Sequence, residues 1–156
     1  MARLKLTFFI FTASFLFYNC GGQAWGDNDL GDNFSLLEGD RIEDRIIVYC
    51  SGRSGGVCTV GTYIVPVYSR HMDSTGHYAE YVETAESNDN FIIAKTLQVQ
   101  DKRANYWIID KGFSIDNCDK INCDSIIQSH VFGPLDKNEF QQKASELKLN
   151  LRFDKN

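Results

Sequence analysis

The amino-acid sequence predicts an α+β domain, with an antiparallel sheet of about six strands and one C-terminal helix packed on a face. Three observations predict it. Short segments rich in β-branched and aromatic residues recur along the chain. Turn-forming residues join them as hairpins, and only the last segment carries a helix start signal with an apolar face of helical period.

The elements follow in order. Trp25 to Asp32 is glycine, aspartate and asparagine with one tryptophan and one leucine, and reads as linker. Strand signals then begin at Phe34–Leu37 and continue at Arg45–Cys50. Ser51–Gly56 is a glycine-rich turn leading into Val57–Tyr68, where Gly61 suggests a bulge and Pro66 an edge position. Tyr78–Thr84 and Phe91–Val99 flank Ser87-Asn88-Asp89-Asn90 and form a hairpin. Asn105–Asp110 and Ile126–Phe132 supply the remaining strands, with Gly133-Pro134 ending the last. Asp136 caps the helix and Glu139 completes a capping box, while Leu135 and Phe140 can close as a staple. Phe140, Ala144 and Leu147 form its packing face, leaving Gln141, Lys143 and Glu146 in water. Tyr49, Tyr63, Phe91, Tyr106, Trp107 and Phe132 are the expected heart of the core. Residues 33–156 form one domain, and a chain of 156 residues is long enough to bury a core without help from disulfides.

The amino terminus points out of the cytoplasm. Arg3 and Lys5 precede an apolar run from Leu6 to Tyr18, the pattern of a signal peptide over residues 1–19. That run of about 13 residues is shorter than the roughly 20 a membrane-spanning helix requires. Two cleavage sites compete. If Leu16-Phe17-Tyr18-Asn19-Cys20 acts as a lipobox, Cys20 becomes a lipidated amino terminus and residues 20–32 a tether, although Phe17, Tyr18 and Asn19 are larger than a lipobox normally carries. If Gly22-Gln23-Ala24 is read by an ordinary signal peptidase, the chain begins at Trp25 and is soluble in the periplasm or secreted.

Either cut resolves the odd count of five cysteines by using or discarding Cys20. Of the three pairings left to Cys50, Cys58, Cys118 and Cys123, Cys50–Cys58 and Cys118–Cys123 close the shortest loops around turn-like segments and are preferred. Their spacings do not match the two-residue knuckle of a zinc ribbon.

Of the 16 basic side chains, 14 remain after Arg3 and Lys5 are removed, against 21 acidic ones, a net charge of −7. Dispersed negative charge of this kind speaks against nucleic-acid binding. No catalytic, cofactor or metal constellation stands out. Gly52-Arg53-Ser54-Gly55-Gly56 matches a hydrolase nucleophile elbow by letter, but a strand rather than a helix follows it. His71, Asp73 and His77 crowd a polar stretch without the spacing of a ligand set, and read as exposed loop residues. Asp116, Asp119 and Asp124 lack the central glycine of a calcium loop. Asn33-Phe34-Ser35 is a glycosylation acceptor by pattern.

Phe91-Ile92-Ile93-Ala94-Lys95, Tyr106-Trp107-Ile108-Ile109-Asp110, Val131-Phe132-Gly133-Pro134-Leu135 with Glu139-Phe140, and the earlier Asp29–Phe34 stretch together resemble a family of small bacterial lipoproteins catalogued as a domain of unknown function. The resemblance implies lipidation at Cys20 and membrane attachment through that anchor. It carries over no catalytic residue. The expectation is therefore an exported lipoprotein of the cell envelope that binds a protein partner, with a toxin inhibitor of the immunity type or a small hydrolase using Asp110 with His71 or His130 as alternatives.

Overall fold

Most of the β-branched and aromatic segments form strands, and the described residues hold eight strands in two sheets rather than about six in one. The computed structural model describes residues 27–116 and 122–153. The first sheet runs β1 (Asp27–Gly31), β2 (Phe34–Leu37), β3 (Ile46–Ser54) and β4 (Val57–Val65) in chain order. The second runs β5 (Glu80–Ser87), β6 (Phe91–Gln98), β7 (Ala104–Asp110) and β8 (Val131–Leu135), again in chain order. Every neighbouring pair is antiparallel. A short helix α1 (Tyr68–His71) joins the sheets, α2 (Cys123–His130) precedes β8, and α3 (Lys137–Glu146) follows it.

The burial pattern explains why one sheet would not suffice. Ile46 to Cys50 are buried at five successive positions, and Ile92, Ile93 and Ala94 at three. Side chains alternate between faces of a strand, so such runs need cover on both faces. Between the sheets lie Phe34, Leu36, Ile47 and Tyr49 from one side and Val82, Ile92, Ala94, Trp107 and Ile109 from the other. The Phe34 ring meets Tyr49 at 5.3 Å and Phe113 at 5.5 Å, both edge-on. Of the expected core aromatics only Tyr49 and Trp107 are buried; Tyr63, Phe91, Tyr106 and Phe132 are half-buried because isoleucines fill the centre of the sheets.

Three further expectations are corrected. Asp27–Gly31, expected as linker, is strand β1: its polar residues pair with β2 while Leu30 plugs the core. Residues 20–26 and the signal sequence lie outside the described residues. The strand expected at Ile126–Phe132 is instead helix α2 followed by β8. Asn122 Oδ1 accepts the Ser125 amide at 3.1 Å as the helix cap, and Ile126 and Ile127 pack on the core, so tertiary burial overrides their β preference. Gly133-Pro134 does not end a strand but lies inside β8, where an edge position tolerates the missing proline amide. Gly133 has φ +150°, and a Cβ there would stand 2.5 Å from Trp107 Cε3, so only glycine lets the edge strand approach that ring.

Expected features that the structure contains include the hairpin Ser54 to Val57, in which the elbow-like glycines form the turn, and Cys50 and Cys58 at disulfide distance, Cα to Cα 5.7 Å. Val57–Tyr68 stops as strand at Val65, one residue before Pro66, and β4 is an edge strand. The bulge falls beside Gly61, at Ser51 on β3. Asn88 Oδ1 accepts the Asn90 and Phe91 amides and shapes the β5–β6 turn. Asp136 and Glu139 close the capping box of α3 from both sides, at 2.7 to 2.9 Å. Cys20 and Cys118, and with them the proposed Cys118–Cys123 bridge, lie outside the described residues, as does Asp119 of the calcium reading.

The outer faces of the two sheets differ. On β7, Tyr106 and Ile108 point away from Trp107 and Ile109 by alternation. The Tyr106 ring is met by Phe140 of α3 at 5.3 Å and by Phe153 at 6.1 Å, so the helix covers this face. Lys143, expected in water, lays its Nζ 4.7 Å over the Phe132 ring. The first sheet is met instead by the one-turn α1, whose Tyr68 and His71 rings pack on Tyr63 at 5.4 and 5.8 Å. Its outer face carries Asp27, Ser35, Leu37, Ile46, Val48 and Tyr63, as the cross-strand partners show.

Candidate functional site

The outer face of the first sheet curls until its two edges meet. Asp27 on β1 and Cys58 on β4 sit at opposite ends of the strand order. Asp27 Oδ2 nonetheless accepts the Cys58 amide at 2.6 Å. Arg53 stabilises the closure: its guanidinium reaches Asp27 Oδ2 at 3.4 Å, Ser35 Oγ at 2.8 Å and Asp29 Oδ1 at 3.7 Å. Beside the closure opens a cavity of about 460 Å³ with Leu37 and Ile46 as apolar floor.

Its walls are aromatic and acidic. Tyr63 of β4, His71 of α1 and Tyr78 contribute rings, with His71 5.8 Å from Tyr63 and 5.2 Å from Tyr78. Asp27, Glu38, Asp40 and Asp44 contribute carboxylates, and Arg41 is the one guanidinium among the described residues of the wall. Glu38 is already bonded by Asn28 at 2.7 Å and by the Arg45 guanidinium. Asp44 is held by a 3-10 turn, Ile42–Asp44, and its Oδ2 accepts the amides of Asp40 and Arg41 at 3.0 and 2.8 Å. Gly39, at φ +63°, permits the turn, because a Cβ there would lie 2.1 Å from that of Asp44.

Tyr78 donates its hydroxyl to Asp44 Oδ1. This bond lowers the Asp44 carboxyl below its ordinary value and raises the Tyr78 phenol above its own, since it favours the charged acid and the neutral phenol. Burial raises the phenol of Tyr63.

The structure reassigns the polar stretch from His71 to His77. His71 is buried, not exposed, and its Nδ1 lies 2.8 Å from the Glu80 carbonyl, which can only accept, so Nδ1 carries the proton. Asp73 Oδ1 instead organises the loop, accepting the Thr75 amide and hydroxyl at 2.8 and 2.6 Å and the His77 amide at 2.9 Å. The Thr75 hydroxyl, then the His77 amide, hold its carboxyl down to about 2. His77 Nδ1 lies 2.7 Å from Thr75 Oγ1. The loop therefore sets Tyr78 and His71 in the cavity wall. Among the described residues no three His, Cys, Asp or Glu side chains converge as a metal-ligand set. Asp116 bonds Ser114 and Tyr49.

Of the residues considered for hydrolysis, Asp110 and His130 do meet, at 3.6 Å, with His130 stacked on Phe113 at 5.0 Å. His71 belongs to the other sheet's cavity. Sequence reasoning passed over Asp27, Asp44 and Tyr78, which carry no motif; the nearest signal was the Gly39-Asp40 turn ahead of Asp44. The chain matches no protein-family model, no curated protein and no solved structure. Among the described residues no helix is long and apolar enough to cross a membrane.

Proposed function

We propose that this protein is an exported, lipid-anchored binding module of the bacterial cell envelope, tethered through Cys20, which holds a partner in the cavity of its first sheet without chemical change. One observation carries the reading: a helix covers the outer face of the second sheet, whereas that of the first curls around a cavity of about 460 Å³. The apolar leader supports export, and a Cys50–Cys58 pair at bonding distance suits an oxidising compartment. The −7 charge argues for a partner other than nucleic acid.

A photo-crosslinking residue at Asp40, on the cavity rim, tests this in intact cells against the same residue at Asp89, in the β5–β6 turn. A discrete adduct from position 40 alone is expected. Equal adducts or none from both positions overturn the reading. Mass spectrometry of the mature amino terminus decides the anchor: acyl groups on Cys20 are expected, and a chain beginning at Trp25 removes the lipid attachment. A small envelope hydrolase is the second reading, favoured by the Asp110–His130 approach. Its prediction is loss of a hydrolytic activity on alanine substitution at either position.

A further inference from the structure

Among the described residues of the cavity wall, Asp27 is the one with a buried side-chain atom that lacks a hydrogen-bond partner. Its side chain is 3% exposed. Oδ2 is turned to the Cys58 amide and to Arg53. Oδ1 is buried and has no hydrogen-bond partner, the only such side-chain atom among the described residues. A buried carboxylate oxygen without a donor is costly, and such atoms in native proteins call for an explanation. With Oδ2 occupied, Oδ1 is the oxygen of this cavity-lining carboxylate left to take a donor.

The surroundings specify what would satisfy it. Two further carboxylates, Asp40 and Asp44, face one guanidinium, Arg41, while Glu38 is paired with Arg45. The rings of Tyr63 and Tyr78 offer faces that attract cations. No metal-ligand set converges there among the described residues, and a donor of hydrogen bonds is what Oδ1 lacks. Resting on the reading of the cavity as a binding site, we infer that it takes an organic cation, a primary ammonium or guanidinium group, which donates to Asp27 Oδ1 and lies against the tyrosine rings. The cation belongs either to a small amine or to a lysine or arginine side chain of a protein.

The test is a titration followed by NMR of the Tyr63 and Tyr78 ring resonances, with n-butylammonium, 1-butanol and butyrate as probes of one size and three charges. Saturable shifts with n-butylammonium are expected, with the other two at least about tenfold weaker, the loss for one charge-assisted hydrogen bond. Asp27→Asn, which keeps an acceptor for Cys58 but puts an amide nitrogen in place of Oδ1, is expected to weaken the ammonium probe by about tenfold as well. Should that variant fail to fold, the three-probe series on the native chain still decides. Butanol or butyrate binding as well as the ammonium overturns the cation and leaves the binding cavity standing; no shift with any probe overturns both. A blocked Gly-Lys-Gly peptide against Gly-Gln-Gly separates the sources. Tighter binding of the lysine peptide than of butylammonium assigns a protein side chain, and binding of the free amine alone assigns a small molecule.

Discussion

The two sheets have the same strand count and the same meander topology, yet they use their outer faces in opposite ways. In the second sheet β6 and β7 pair through seven residues without a register shift, and the outer face lies under α3. Its inner face holds a closed polar network: Trp107 Nε1 donates to Thr96 Oγ1 at 2.9 Å, and Thr96 donates in turn to Glu80. Asn105 bonds the same Glu80 oxygen, and Arg70 bonds the other at 2.7 and 2.9 Å. In the first sheet the β3–β4 pairing shifts register three times, the edges are joined by a side chain, and one buried carboxylate oxygen is left unmet. Complete satisfaction marks the sheet that supports the domain, and incomplete satisfaction marks the face that meets something else.

The largest expected effect tests the supporting role. Trp107→Ala removes a buried ring that packs on Gly133, lies under Arg70 at 5.7 Å and bonds Thr96. A loss of about 3–5 kcal/mol is expected in chemical denaturation. Tyr63→Ala, a half-buried wall of the cavity, should cost well under half as much. Equal losses would erase the distinction between scaffold sheet and site sheet.

The same contrast decides what sequence could reveal. Elements whose signal is local were legible: the Asp136–Glu139 cap of α3, the Asn88 turn, and the Cys50–Cys58 hairpin. Elements decided by tertiary contact were not. The Asp27–Asp29 stretch of β1 has the composition of a linker and becomes strand only because β2 pairs with it. Ile126 and Ile127 have strand preference and sit in a helix because its face packs on the core. The cavity was invisible for the same reason. Asp27, Asp44 and Tyr78 are far apart in sequence and converge only after the first sheet curls, whereas the eye-catching His71, Asp73 and His77 serve the loop that positions two of the wall's rings.

A medium effect probes the curl. The Cys50–Cys58 bridge closes a short loop across the hairpin that carries both Arg53 and the Cys58 amide. Short loops constrain the unfolded chain least, so replacing both cysteines by alanine should cost about 2 kcal/mol in reversible unfolding. If the curl depends on the bridge, the Arg53 and Cys58 amide resonances will move in the double variant while those of β6 and β7 stay. Movement spread evenly over both sheets would mean that the hairpin is not a separate element of the site.

The smallest effect concerns Tyr78 and Asp44, and its pH dependence is its signature. Tyr78→Phe removes the hydroxyl that Asp44 Oδ1 accepts, at a cost of about 1 kcal/mol near neutrality. Asp44 is depressed in the folded state, so the bond's contribution is complete above the unfolded carboxyl value near 3.9 and is lost as pH falls through the lower folded value. Tyr78 is raised, so the contribution is complete below the unfolded phenol value near 10 and is lost as pH rises through the higher folded one. The stability difference between native chain and variant should therefore form a plateau from about pH 4 to about pH 10 and close on both sides. A difference that does not change with pH would show that Tyr78 acts only as a packed ring, and that the acidic wall of the cavity is set by the 3-10 turn and Gly39 alone.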